Sequence, residues 1–113
     1  MTLVDAGPLV ALLSSGDGRH EICQAAVRTI RGPLVTVWPV LTETLHLLRA
    51  SWEAQDAVWD MMEQERLKLL PLDAGDVPRM RELMRKYRDL PMDMADAALV
   101  TVAEREGITR VFT

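Results

Sequence analysis

The sequence has 113 residues, 49% hydrophobic and 27% charged, the makeup of one globular domain with a core of its own. Its net charge of −4 excludes the broad basic surface of an ordinary nucleic-acid binder, and its single cysteine excludes an internal disulfide and a cysteine-rich zinc site. No apolar run approaches the ~18 residues of a membrane span, and the first residues lack the basic and apolar regions of a signal peptide. The reading is therefore a single cytoplasmic domain over 1–113.

Thr2, Leu3 and Val4 read as a short buried strand ending at Asp5, and Pro8 suits the first turn of a helix through Leu13. Asp5 has two readings of equal weight: a cap on that helix, or an acid at the carboxyl edge of a strand, where open α/β sheets bind ligands. Ser14 to Gly18 is a loop, and Arg19 to Arg31 is a helix closed by Gly32 and Pro33, with Cys23 as a small core residue. Leu34 to Trp38 reads as the second strand. Pro39 then starts a helix whose apolar face is Val40, Leu41, Thr44, Leu45 and Leu48. Glu43 is placed in the first turn of that helix, as a partner of its dipole or as a functional acid. His46 lies three residues on, but no HExxH accompanies it.

Ser51 caps a further helix carrying Trp52, Val58, Trp59, Met61 and Met62, a stripe read mostly as core with room for a partner surface. Leu67 to Leu72 is a third strand, which Pro71 ends or confines to an edge. Asp73 and Asp76 cap a helix to Arg88 with a core face of Val77, Met80, Leu83, Met84 and Tyr87. Its other face holds Arg79, Arg81, Arg85, Lys86 and Arg88, ordinarily a solvated face and alternatively a contact for phosphate, with Arg85 and Arg88 nearest the segment that follows.

That segment, Leu90 to Thr113, is a helix ending at Gly107 and a short strand to the chain end. Asp93 suits the N-cap and Asp96 the third helical position. On a helical wheel Asp96 borders the apolar arc of Ala95, Ala98, Leu99, Val102 and Ala103, so its carboxylate needs a partner, whereas Asp93 is explained by capping. The alternation of strands and helices argues for an α/β fold with a parallel sheet covered on both sides. In such a sheet Asp5, Glu43 and Asp96 share one edge. Three crowded carboxylates without a Cys or His set suit a hard cation, Mg²⁺ or Mn²⁺, and metal-assisted hydrolysis of a phosphodiester.

LVDAGPLVALL, LTETLHLLR and DMADAALVTVAEREGITRVFT resemble the three signature blocks of PIN domains, in that family's order, and most resemble VapC-like toxin ribonucleases. The resemblance implies a PIN-like fold with about four parallel strands and Mg²⁺- or Mn²⁺-dependent cleavage of RNA. It carries the metal-binding acids onto Asp5, Glu43 and Asp96, with Asp93 adjacent to them, and it implies a homodimer and a cognate antitoxin. The family places a fourth acid after the last strand, in a block starting near VFT. The chain stops at Thr113, so the expectation is a PIN-like domain lacking that segment, with Asp5, Asp96 and a water-bridged Glu43 left to hold a first metal.

Other enzymes built on an acid after the first strand fit worse. A haloacid-dehalogenase-like site wants a second Asp where Gly7 stands, a receiver domain wants a suitably placed Lys that neither Lys68 nor Lys86 supplies, and no GxGxxG turn is present. The non-enzymatic alternative is a PIN-like scaffold that binds a protein or RNA without cutting it.

Overall fold

A computed structural model describes residues 1–113. Its first strand, β1 (Thr2–Val4), is buried along its whole length, as the unbroken apolar run requires of a central strand. It is followed by α1 (Ala6–Leu13) and α2 (His20–Thr29), then β2 (Leu34–Thr36), α3 (Trp38–Leu47), α4 (Trp52–Glu63), β3 (Leu67–Leu69), a 3-10 turn at Ala74–Asp76, α5 (Val77–Lys86), α6 (Met94–Glu106) and β4 (Val111–Phe112). The four strands are parallel in the order β3-β2-β1-β4 and the helices flank the sheet, the α/β architecture read from the sequence.

The order places β1 between β2 and β4, so the chain leaves it to one side early and returns to its other side at the end. This makes the carboxyl end of β1 the topological switch point, where such sheets open a crevice. The register pins that end. Leu3 lies opposite Val35 and Val111, and the Asp5 N–H donates to the Phe112 carbonyl at 2.9 Å. On the other side the buried Thr36 hydroxyl donates to the Val4 carbonyl at 2.9 Å. Thr36→Val removes that donor and leaves a buried acceptor short of a partner. Thermal unfolding is expected to show a loss of about 1–3 kcal/mol, with Thr36→Ser close to the parent.

The core is a cluster of 17 buried residues that includes Leu3, Val4, Leu9, Val35, Leu41, Val58, Leu67, Leu99 and Val102. Cys23 is buried beneath α2 as expected. Three readings need correction. The second strand stops at Thr36, and α3 begins at Trp38 rather than Pro39, so Glu43 lies in the second turn and has no first-turn dipole role. Trp52 and Trp59 face solvent, because α4 needs only Ala54, Val58 and part of Met61 and Met62 to cover the sheet. On α5, Val77 and Met84 are likewise exposed, and Leu83 is the residue it buries.

A pair of contacts that the periodicity does not reveal ties α6 to the segment before α5. Arg105 donates to the buried Asp76 carboxylate at 2.5 Å and to the Pro71 carbonyl at 2.7 Å. Asp76 also accepts from the Asp73 N–H, in a capping box closed by both residues. With Arg79 bridging to Glu104, these bonds tie the last turn of α6 to α5 and to the segment before it.

Candidate active site

Three elements bring four carboxylates to the carboxyl edge of the sheet. Asp5 follows β1 and caps α1, its Oδ1 accepting from the Ala6 N–H at 2.7 Å. Capping therefore occupies one of its oxygens and leaves the other free. Glu43 stands half-buried in the second turn of α3. Asp93 and Asp96 form a reciprocal capping box at the start of α6: the Asp96 N–H donates to Asp93 Oδ1 at 2.9 Å, and the Asp93 N–H donates to Asp96 Oδ2 at 3.3 Å. Asp93 is exposed and Asp96 half-buried, the difference that the helical wheel implies.

The sequence pulls these residues together for separate local reasons. Strand ends, helix caps and a polar position on a largely apolar helix each place one acid, and the parallel sheet aligns them. The helix itself stops where it must: Gly107 adopts φ +66°, a conformation that a side chain would strain, and its N–H closes the last turn.

The acids feel one another. Burial raises the Glu43 carboxyl above its ordinary range, and the charges of Asp93, Asp5 and Asp96 raise it further. Burial also raises Asp96, against the hydrogen bond from the Asp93 N–H, with the charges of Asp93 and Asp5 adding to the rise. No salt bridge joins any of the four to a Lys or Arg side chain.

The geometry stops short of a closed ligand cage: no three His, Cys, Asp or Glu side chains are arranged to hold a metal ion as they stand. Their chemistry nevertheless suits one. Mutually repelling carboxylates, hard in donor type and open to solvent, are the set that a divalent cation with its own waters relieves. Asp5, Asp96 and Glu43 are the residues that would hold it, by a change of rotamer or through bridging water.

Open space surrounds the acids. Asp5 and Asp96 line a cavity of ≈ 490 Å³ between α6 and β4. Glu43 and Asp93 line a second, of ≈ 700 Å³, with Trp38, His46 and Met94. Asp96 also borders a smaller cleft beside Tyr87. Arg85 and Arg88 are exposed at the end of α5, and Arg88 donates to the Arg85 carbonyl at 2.8 Å. The other histidine, His20, accompanies none of the acids; its Nδ1 lies 2.6 Å from the Ala11 carbonyl and ties α2 to α1.

Trp38 is the wall residue that sequence reasoning missed. Read as the end of a strand, it is the first residue of α3, 53% exposed. The available signal is the proline that follows it, which is tolerated anywhere in the first helical turn and so leaves room for one more residue ahead of it.

A family model described as PIN domain matches residues 2–113. No curated protein matches the sequence. Among solved structures, the crystal structure of Mycobacterium tuberculosis VapC20, a sarcin–ricin loop cleaving toxin, superposes with a TM-score of 0.88 at 20% identity, covering 98% of this chain and 87% of that one. At that identity the likeness is one of fold. The family model spans Asp5, Glu43 and the acidic start of α6 in a single match, and the chain belongs to the PIN domain family.

Proposed function

We propose that this protein is a metal-dependent endoribonuclease, the toxin of a VapBC-type pair, hydrolysing RNA phosphodiester bonds in the cytoplasm. The observation that carries the proposal is the convergence of Asp5, Glu43, Asp93 and Asp96 at the switch point of a PIN fold, where burial first and the charges of neighbouring acids second raise the proton affinity of Glu43 and Asp96. No helix is long and apolar enough to cross a membrane.

In this reading Asp5, Glu43 and Asp96 are the catalytic, metal-holding acids, and the cofactor is Mg²⁺ or Mn²⁺. When bound, that cation supplies an activated water and neutralises charge on the phosphate. Asp93 holds Asp96 in place through the reciprocal cap, its Oδ1 accepting the Asp96 N–H and its own N–H donating to Asp96 Oδ2. Arg85 and Arg88 contact phosphates of the substrate beyond the cleavage point. The partners are RNA, a cognate antitoxin and a second copy of the chain.

The alternative is a scaffold that binds without cutting, and one observation favours it: the acids do not close into a cage. Calorimetric titration of Mn²⁺ separates the two. Binding by the parent that Asp96→Asn abolishes is expected, together with Mn²⁺-dependent cleavage that EDTA stops. Because VapC20 is a sarcin–ricin loop cleaving toxin, an RNA containing that loop belongs beside single strands among the first substrates. A folded parent that binds no Mn²⁺ would support the scaffold.

A further inference from the structure

We infer that Trp38 is the stacking platform for a nucleobase of the RNA, seating the nucleotide next to the scissile phosphate in the cavity between α3 and α6. The inference rests on the ribonuclease reading and specifies how that site grips its substrate.

Trp38, Thr42 and His46 follow one another at i, i+4 spacing along the open face of α3, with Pro39 and Glu43 on the adjoining row. Together with Leu72, Asp93, Met94 and Ala95 they line the ≈ 700 Å³ cavity. Glu43 therefore belongs both to this cavity and to the acid cluster, and a nucleotide whose phosphate sits among the acids has its base within reach of the cavity.

The lining selects what can enter. It has two carboxylates and no Lys or Arg, so it repels phosphate and suits a neutral group. Trp38 offers a flat π-face, Pro39 and Met94 offer apolar surface, and the carboxylates accept hydrogen bonds from the amino groups of adenine, cytosine or guanine. The Thr42 hydroxyl donates to the Trp38 carbonyl at 3.2 Å, so what it still offers an entering base is an acceptor.

An indole this exposed at a helix start contributes little to the core, and the 17-residue cluster does not include it. Its truncation should leave the fold intact. A basic protein segment could also enter an acidic, aromatic cleft, but the nucleobase has the stronger claim, being covalently tethered to the group that the neighbouring acids act on.

The test uses Asp5→Asn, a residue outside this cavity, as a cleavage-impaired background and a short fluorescent single-stranded RNA, with and without an abasic nucleotide beside the cleavage position. Adding Trp38→Ala is expected to weaken RNA binding by about five- to hundred-fold, and adding Trp38→Phe by much less. The abasic RNA should bind the background weakly and lose little more on Trp38→Ala. Cleavage by the single variant Trp38→Ala should show a raised KM, at unchanged melting temperature. If the parent binds and cleaves RNA while Trp38→Ala does both equally well, the stacking site is overturned and the ribonuclease reading stands; such a Trp38 would belong to a protein contact. If the folded parent neither binds nor cleaves any RNA, both fall together.

Discussion

Asp96→Asn, Asp5→Asn and Glu43→Gln should each lower single-turnover cleavage of RNA by at least about a hundred-fold, the scale of losing one preorganised charge from a transition-state site. The fold should survive each change, and Asp96 is where the two roles of a carboxylate can be separated. As the third residue of α6 it accepts from the Asp93 N–H, and an amide oxygen accepts that bond as well. Its charge faces the charges of Asp93 and Asp5, so removing it relieves repulsion. Asp96→Asn should therefore melt at or above the parent temperature without metal, while losing cleavage. Asp93→Asn should lose only about ten-fold, since Asn caps a helix as well as Asp and keeps its hold on the Asp96 N–H. Full activity in Asp96→Asn would remove it from the site; a large drop in its melting temperature would make it a cap and nothing more.

The sheet was legible because its strands are short apolar runs bounded by Asp, Pro and Gly, and because the alternation with helices admits few topologies. The box of Asp93 and Asp96 was legible from spacing alone, since a reciprocal cap needs two acceptors three residues apart. Side-chain exposure was harder to read. Apolar spacing on α4 and α5 does not say how wide a strip each helix buries, and the tryptophans and methionines beyond that strip remain outside. The start of α3 depended on one residue before a proline, which moved Glu43 one position further along the helix and hid Trp38. The link from Arg105 to Asp76 and Pro71 joins residues distant in sequence with no periodicity between them, so only the folded chain reveals it.

Metal should reverse the pH response of stability, and the sign follows from the two kinds of acid in the molecule. Glu43 and Asp96 have raised proton affinity in the folded state, so the native protein binds more protons than the unfolded chain between the ordinary carboxylate range and the raised folded values. In that window the metal-free protein loses stability as pH rises. Asp76 acts in the opposite direction: the Asp73 N–H and Arg105 lower its proton affinity, so its contribution is present above the ordinary value and lost as pH falls through the folded one. With EDTA the melting temperature should thus pass through a maximum in the carboxylate range and decline toward neutrality. Mn²⁺ at a hundred times its Kd should add about 2.7 kcal/mol near neutral pH, roughly 10 °C in melting temperature, and remove that decline, because the cation replaces protons as the partner of the acids. Asp96→Asn should flatten the metal-free decline and lose most of the Mn²⁺ gain. Melting curves from about pH 4 to 8, with EDTA and with Mn²⁺, measure both effects at once. A metal-free decline with no Mn²⁺ gain would mean that the carboxylates repel one another without ever sharing a cation, and the scaffold reading would then account for the fold better than a nuclease.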